Sequence, residues 1–409
     1  MSRLEPPSTN IDHPNLIHLD EPAFFQDPYP YYARLRASGK PFWLPRAQEE
    51  GLWLFSRHAD SEVLFKEIAA LSKNIRAVRP PDKVTLFDLH VLHRDGEDHL
   101  RLRRLVADFF SSRHIAKFET RIERVAQSLV RELKAKGSFD LMADFSDQLP
   151  QQVIADLMGI PAEDMLRVRE WSIALGDGFD SLLASSEVDA RQKQALSAFL
   201  EYAREVIANK RRQPDTSLIG HMVAAEAGKT ISPDELIAMA GFLLFSGHET
   251  TINLIGNSLW LLLSHPSQWQ LLKQDPGRIP QAIEEILRYE SPEQRTSFRI
   301  ALEPLEVNGI HIEVGQQIGI ILGSANRDEA VFDNPDVFDI QRDARRHLAF
   351  GLGLHNCLGK TLARTEARIA LGTLIEQLPN LKLFNTQVQW RHNSFFRGLV
   401  ALPASVSGE

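Results

Sequence analysis

Phe350-Gly351-Leu352-Gly353-Leu354-His355-Asn356-Cys357-Leu358-Gly359 is a glycine-rich loop that runs directly into an amphipathic helix predicted over about Leu358–Leu378. It carries the single cysteine of the 409 residues. A sulfur at a helix N-terminus meets unpaired backbone N–H groups and the positive end of the helix dipole, both of which favour a thiolate. Glycines let backbone amides approach the sulfur closely, and such hydrogen bonds tune a thiolate-bound metal. They also leave room for a flat cofactor over the loop. Two other readings compete: a buried structural cysteine, and a nucleophile paired with His355. The glycine spacing and the following helix speak against the first. Against the second stand the near-adjacency of His355 and the lack of a third partner. One cysteine also excludes an intramolecular disulfide, a four-cysteine iron–sulfur cluster and a cysteine-rich zinc site.

Upstream, Ser232–His265 reads as one long buried helix. Ser232-Pro233-Asp234-Glu235 supplies an N-cap, a proline at the first position and a capping-box glutamate. Pro266 marks the stop. At 1.5 Å per residue it would span about 50 Å. Leu236–Phe245 is apolar on nearly all sides. Ser246-Gly247-His248-Glu249-Thr250-Thr251 interrupts the apolar run, so a membrane span is not expected. Helical periodicity also covers His99 to about Ile207, including Ile115–Leu133 and Leu196–Ile207, and a shorter helix covers about Pro280–Tyr289. Strands are predicted at Gly51–Phe55, Leu305–Val307, Ile310–Ile312 and Gln317–Leu322, with Asn308-Gly309 as a two-residue turn. Lys73–Asp98 reads as a long loop.

Composition is that of an ordinary globular protein, with 43% hydrophobic and 24% charged residues. A net charge of −8 argues against nucleic-acid binding. The start, Met1–Pro7, has no apolar signal-like stretch, and a cytoplasmic location is expected. With no repeat or linker, the chain reads as one domain over 1–409, its first 30 residues forming an N-terminal arm.

The pattern Phe350-x-x-Gly353-x-x-x-Cys357-x-Gly359 resembles the haem-binding signature of the cytochromes P-450. Other segments agree in order, so the resemblance covers essentially the whole chain. It implies the cytochrome P-450 fold, mainly α with a smaller β region. It implies haem b with Cys357 as the axial ligand to iron, and Phe350 and Gly359 as part of the cofactor-binding loop.

Within Ser246–Thr251, an acid and an alcohol stand side by side in an apolar helix. A threonine that back-bonds to a carbonyl four residues earlier would open the helix and admit water. Equally, Glu249 can be a buried charge satisfied by a partner. The resemblance gives Glu249 and Thr250 the delivery of protons for dioxygen activation, and Gly247 room for dioxygen. Glu285 and Arg288 share a helix face, and the resemblance joins them to Arg342 in a structural trio. His99 and Arg103, four apart on one helix face, suit an anion or, with no ligand, a solvated basic face. The resemblance gives them a haem propionate, together with His355 and an arginine after the Glu285 helix. That arginine is Arg299, with Arg295 as the alternative, because this segment is one residue longer than the family spacing.

The function implied is a monooxygenase that inserts one atom of O2 into a lipophilic small molecule by hydroxylation or epoxidation. Electrons would come from NAD(P)H through a reductase and a ferredoxin or flavodoxin, as in bacterial multi-component systems. Arg103, Arg104, Arg345, Arg346, Lys360 and Arg364 form a candidate docking patch for that acidic partner. Pocket residues are expected in Ala69–Leu92, Leu166–Leu183, Met239–Thr250, Ser291–Phe298 and Ser394–Phe396. A peroxide-driven haem-thiolate enzyme and a non-catalytic haem sensor are the alternatives.

Overall fold

The computed structural model describes residues 21–44, 51–67, 69–74, 76, 84–180 and 185–406. Residues 1–20 of the expected arm lie outside these. The arm's remainder forms a short helix, Pro22–Gln26, that buries Phe24 and Phe25.

Apolar periodicity sets the helical body. Ser112–Lys136 is capped by the Ser111 hydroxyl and ended by Gly137 at φ +71°. It buries Ile115, Ile122, Val125, Leu129 and Leu133 on one stripe. Against that stripe packs Lys360–Gln377, the helix that follows Cys357. Glu249–Ser264 and Ile279–Tyr289 pack on its other sides. Met165–Phe179 and Ser186–Arg212 pack on each other and against Pro233–Ser246.

The expected single helix over Ser232–His265 is two helices, Pro233–Ser246 and Glu249–Ser264, broken at Gly247-His248. His248 has φ −126° and ψ −45°. Its imidazole Nδ1 donates to the Leu244 carbonyl at 2.7 Å, taking the acceptor that its own backbone N–H would use in an unbroken helix. The residue that opens the ladder is therefore His248, not Thr250.

The β region is small. β1 (Phe42–Leu44), β2 (Leu52–Phe55), β3 (Leu71–Ser72), β5 (Arg299–Ala301) and β8 (Gln317–Ile320) make a five-stranded sheet in the order β1-β2-β8-β5-β3. The β2–β8 pair is parallel and the others antiparallel. β4 (Ser138–Asp140), β9 (Leu381–Leu383) and β10 (Pro403–Val406) form a second sheet. β6 (Leu305–Val307) and β7 (Ile310–Ile312) form the expected hairpin, with Asn308 and Gly309 both at positive φ. The expected loop over Lys73–Asp98 contains short 3-10 turns at Leu86–Leu89 and Val91–His93. Among the described residues no helix is long and apolar enough to cross a membrane.

Candidate functional site

The loop before the Lys360–Gln377 helix has two left-handed glycines, Gly351 at φ +62° and Gly353 at φ +73°. A Cβ on Gly353 would lie 2.8 Å from the Phe65 carbonyl oxygen, so only glycine lets the loop close there. The loop is fastened by the Cys357 N–H, which donates to the Phe350 carbonyl at 2.8 Å. The Phe350 ring lies 4.4 Å under the Arg364 guanidinium, and Arg364 binds Glu284 with two 2.7 Å hydrogen bonds. His347 meets the same carboxylate at 3.1 Å.

The Cys357 side chain keeps accessible surface although protein atoms crowd around the sulfur. Burial pushes its thiol up to about 11, against the Gly359 N–H that donates to the sulfur and the charges of Arg103 and Lys360. Burial of the sulfur thus works against the backbone N–H and the positive charges that the helix start brings to it. Unlike Gly353, Gly359 has nothing within 4 Å of where its Cβ would stand.

His99, Arg103, His355 and Arg299 gather beside this loop. The His99 and His355 rings are 4.2 Å apart. His355 Nε2 is 3.0 Å from Asp95 Oδ1. Arg103 donates to the Asn356 carbonyl at 2.9 Å and its Oδ1 at 2.6 Å. Burial, then the charges of His355 and Arg103, hold His99 down to about 4, so the expected positive pair carries one charge, on Arg103. His99 Nδ1, His355 Nδ1 and Arg299 Nε are all buried without a hydrogen-bond partner among the described residues. Three orphaned nitrogens, an open cradle at Gly359 and a sulfur beneath fit a flat anionic group with a soft metal at its centre. Haem has that chemistry. Arg295 points elsewhere, to Asp180 at 3.3 Å, so the register favours Arg299 at this cluster.

Glu249 is 3% exposed and forms an ion pair with Arg391, while its Oε2 lacks a partner among the described residues. Burial raises its carboxyl, but Arg391, His248 and Arg169 together hold it below the ordinary value. Both sequence readings of Glu249 thus meet in one residue, a paired charge with one oxygen to spare. Thr250 beside it is half-buried. Because the His248 Nδ1 proton is committed to Leu244, its buried Nε2 is left as an unpaired acceptor. The expected room for dioxygen is not what Gly247 provides, since a Cβ there would strike Ile154 at 2.5 Å.

The five pocket segments converge. His90 stacks on Phe242 at 4.1 Å, Phe245 meets Phe396 at 6.3 Å, and Gly176 abuts Phe396. Glu293 forms a β-bridge with Phe396. Residues 75, 77–83 and 181–183 lie outside the described residues, and Leu166 faces solvent at 67% exposure. Asp180 ties Arg295 to Ser394, whose hydroxyl donates to it at 2.6 Å. The trio also assembles: Glu285 accepts from Arg288 at 2.7 and 2.8 Å and from Arg342 at 3.3 Å. Of the six docking cations, Arg345 is paired with Asp343, Arg364 with Glu284, and Arg103 is turned to Asn356. Asp95 and Arg391 escaped sequence reasoning. Asp95 sits one turn before His99 on the same helix entry, a legible signal, whereas Arg391 lies 142 residues from Glu249 with none.

A family model described as cytochrome P-450 matches residues 7–276 and 279–400. A cytochrome P-450 of Bacillus subtilis (strain 168) is 39% identical over 399 residues, covering 95% of this chain and 96% of that protein. The vitamin D(3) 25-hydroxylase of Pseudonocardia autotrophica is 37% identical over 392 residues, 94% of each. Among solved structures, a myxobacterial cytochrome P-450 in complex with myristic acid superposes with a TM-score of 0.89 at 35% identity, covering 96% of this chain and 99% of that one.

Proposed function

This chain belongs to the cytochrome P-450 family of haem monooxygenases, and on that premise we propose which of its residues perform the reaction. Cys357 would hold the haem iron through its sulfur, with Phe350 and Gly359 shaping the loop around it. His99, Arg103, His355 and Arg299 hold the propionates. The observation that carries this assignment is the set of three buried, unpartnered nitrogens on His99, His355 and Arg299 beside Cys357. Haem b, once bound, supplies the site for O2 and the oxidising power to insert one oxygen atom into substrate.

The remaining chemistry belongs to side chains. Glu249 holds a proton-accepting oxygen, Oε2, in the break between two helices, and Thr250 stands beside it to pass protons inward. Arg391 keeps Glu249 ionised, so each proton it takes up is readily given on. Phe242, Leu244, Phe245 and Phe396 exclude water and favour a lipophilic substrate. Glu293 and Arg295 at one side of the pocket suit a substrate bearing a polar group. Relatives named for a vitamin D hydroxylation and a structure holding myristic acid support that class. Exposed Arg104 and Arg346, with half-buried Lys360, form no ion pair among the described residues. They support docking of an acidic ferredoxin or flavodoxin fed by an NAD(P)H-dependent reductase in the cytoplasm.

The test is turnover under isotopically labelled dioxygen with reduced ferredoxin. One labelled oxygen atom per product molecule is expected, with product falling at least about tenfold in Thr250→Ala. Product formed only from peroxide, and indifferent to Thr250, would refute the assignment.

A further inference from the structure

β3 and β5 pair antiparallel with Leu71 opposite Ala301 and Ser72 opposite Ile300. The next position in that register sets Lys73 opposite Arg299. Both are buried, at 5% and 4% exposure. Like charges placed directly across two strands repel, and burial strengthens the repulsion. Neither cation forms an ion pair among the described residues. Lys73 Nζ donates to the Ser297 carbonyl at 2.8 Å and the Ser297 hydroxyl at 2.6 Å, both neutral acceptors, and keeps a third N–H. Arg299 Nε has no hydrogen-bond partner among the described residues.

The near carboxylate, Asp95, is already engaged. Its Oδ1 faces His355 and its Oδ2 accepts from the Ser72 hydroxyl at 2.5 Å and the Lys73 and Asn74 amides at 3.0 and 3.1 Å. Glu293 acts on Lys73 through space and forms no hydrogen bond with it. Two buried cations and two imidazoles with orphaned nitrogens face one saturated carboxylate, Asp95, and a second, Glu293, that reaches Lys73 only through space, so neither cation has a carboxylate in hydrogen-bond contact among the described residues.

We infer that Lys73 is a further cofactor-binding residue, which closes with Arg299 on one haem propionate as a point charge beside a guanidinium fork. The inference rests on the haem assignment above. It also accounts for a lysine in so unfavourable a place. Burial, then Arg299, holds the Lys73 ammonium down to about 7 against Glu293 and Asp95. An arriving carboxylate would restore its charge.

The experiment follows haem transfer from the ferric holoenzyme to an excess of apo-globin scavenger. Lys73→Met should lose haem about tenfold faster than wild type, the effect of one charge-assisted hydrogen bond, and Lys73→Arg should stay near wild type. Reconstitution with haem dimethyl ester, which lacks carboxylates, should erase the difference between wild type and Lys73→Met. A difference that persists with the ester would show that Lys73 acts through the fold, and would overturn the inference. So would wild-type haem retention in Lys73→Met, including the case where that variant instead weakens binding of a carboxylate-bearing substrate. Arg299→Met separates the two levels. If it alone accelerates haem loss, the cradle stands and Lys73 does not belong to it. If neither variant does, the propionate assignment itself fails. Thermal unfolding of each apoprotein controls for misfolding.

Discussion

Replacing Glu285 by glutamine removes one charge and no volume from a place where nothing can compensate. Glu285 and Arg288 are both 0% exposed. The carboxylate accepts four hydrogen bonds: two from Arg288, one from Arg342 and one from the Asp339 N–H at 3.0 Å. Arg288 in turn donates to the carbonyls of Asn326, Pro335 and Val337, so the trio fastens the long segment that leads to the Cys357 loop. Stranding a buried guanidinium costs about 3–5 kcal/mol. Set against a total stability of about 5–15 kcal/mol, E285Q should lower the urea midpoint of the apoprotein by about 1 M or more, taking a slope of ~3 kcal/mol/M. Haem content should fall with it. The double variant Glu285→Met, Arg288→Met strands no charge of its own pair. It should cost at least about 2 kcal/mol less than the sum of the single variants. Urea unfolding followed by far-UV circular dichroism reads both numbers. A loss below about 1 kcal/mol for E285Q, the size of an exposed pair, would refute the reasoning.

Arg391→Gln removes the cation that opposes the burial of Glu249, so that carboxyl should titrate at higher pH. The acid limb of the turnover profile should then move up in pH, and an unmoved limb would detach Glu249 from proton delivery. Glu284 is held down to about 2 from its ordinary 4.5: burial pushes the other way, but Arg364 and His347 prevail. A depressed carboxyl stabilises the fold above its unfolded value, so this contribution should be full above about pH 5 and vanish as pH falls from 4.5 through about 2. Glu284→Gln should flatten that part of a stability–pH curve. Gly353→Ala should destabilise the apoprotein by at least about 1 kcal/mol. Gly359→Ala should leave the apoprotein unchanged, because its Cβ meets nothing, and yet weaken haem retention. Equal behaviour of the two glycine variants would contradict the cradle.

Much of the scaffold was legible because it is local. The capping box at Ser232, the hairpin at Asn308-Gly309 and the stripe on Ser112–Lys136 are read from neighbouring residues. The break at His248 was not, since a histidine capturing the Leu244 carbonyl competes with an otherwise strong helical pattern. At the site, loop glycines pointed to Cys357 and helix spacing to an anion-binding pair at His99 and Arg103, while the role of His355 came only from the family resemblance. Arg391 and Lys73 stayed hidden because their roles depend on strands and turns that bring distant chain together. At the sulfur, the loop and helix start supply the expected N–H and positive charges, while burial, which depends on the whole fold, pushes the thiol up against them.

The most direct measurement is the absorption spectrum of the purified protein, reduced under carbon monoxide, for wild type and Cys357→His. A strongly red-shifted Soret band in the wild type, lost in a variant that still binds haem, is the predicted result. A haem-loaded wild type without that band, or a variant that keeps it, would contradict Cys357 as the ligand.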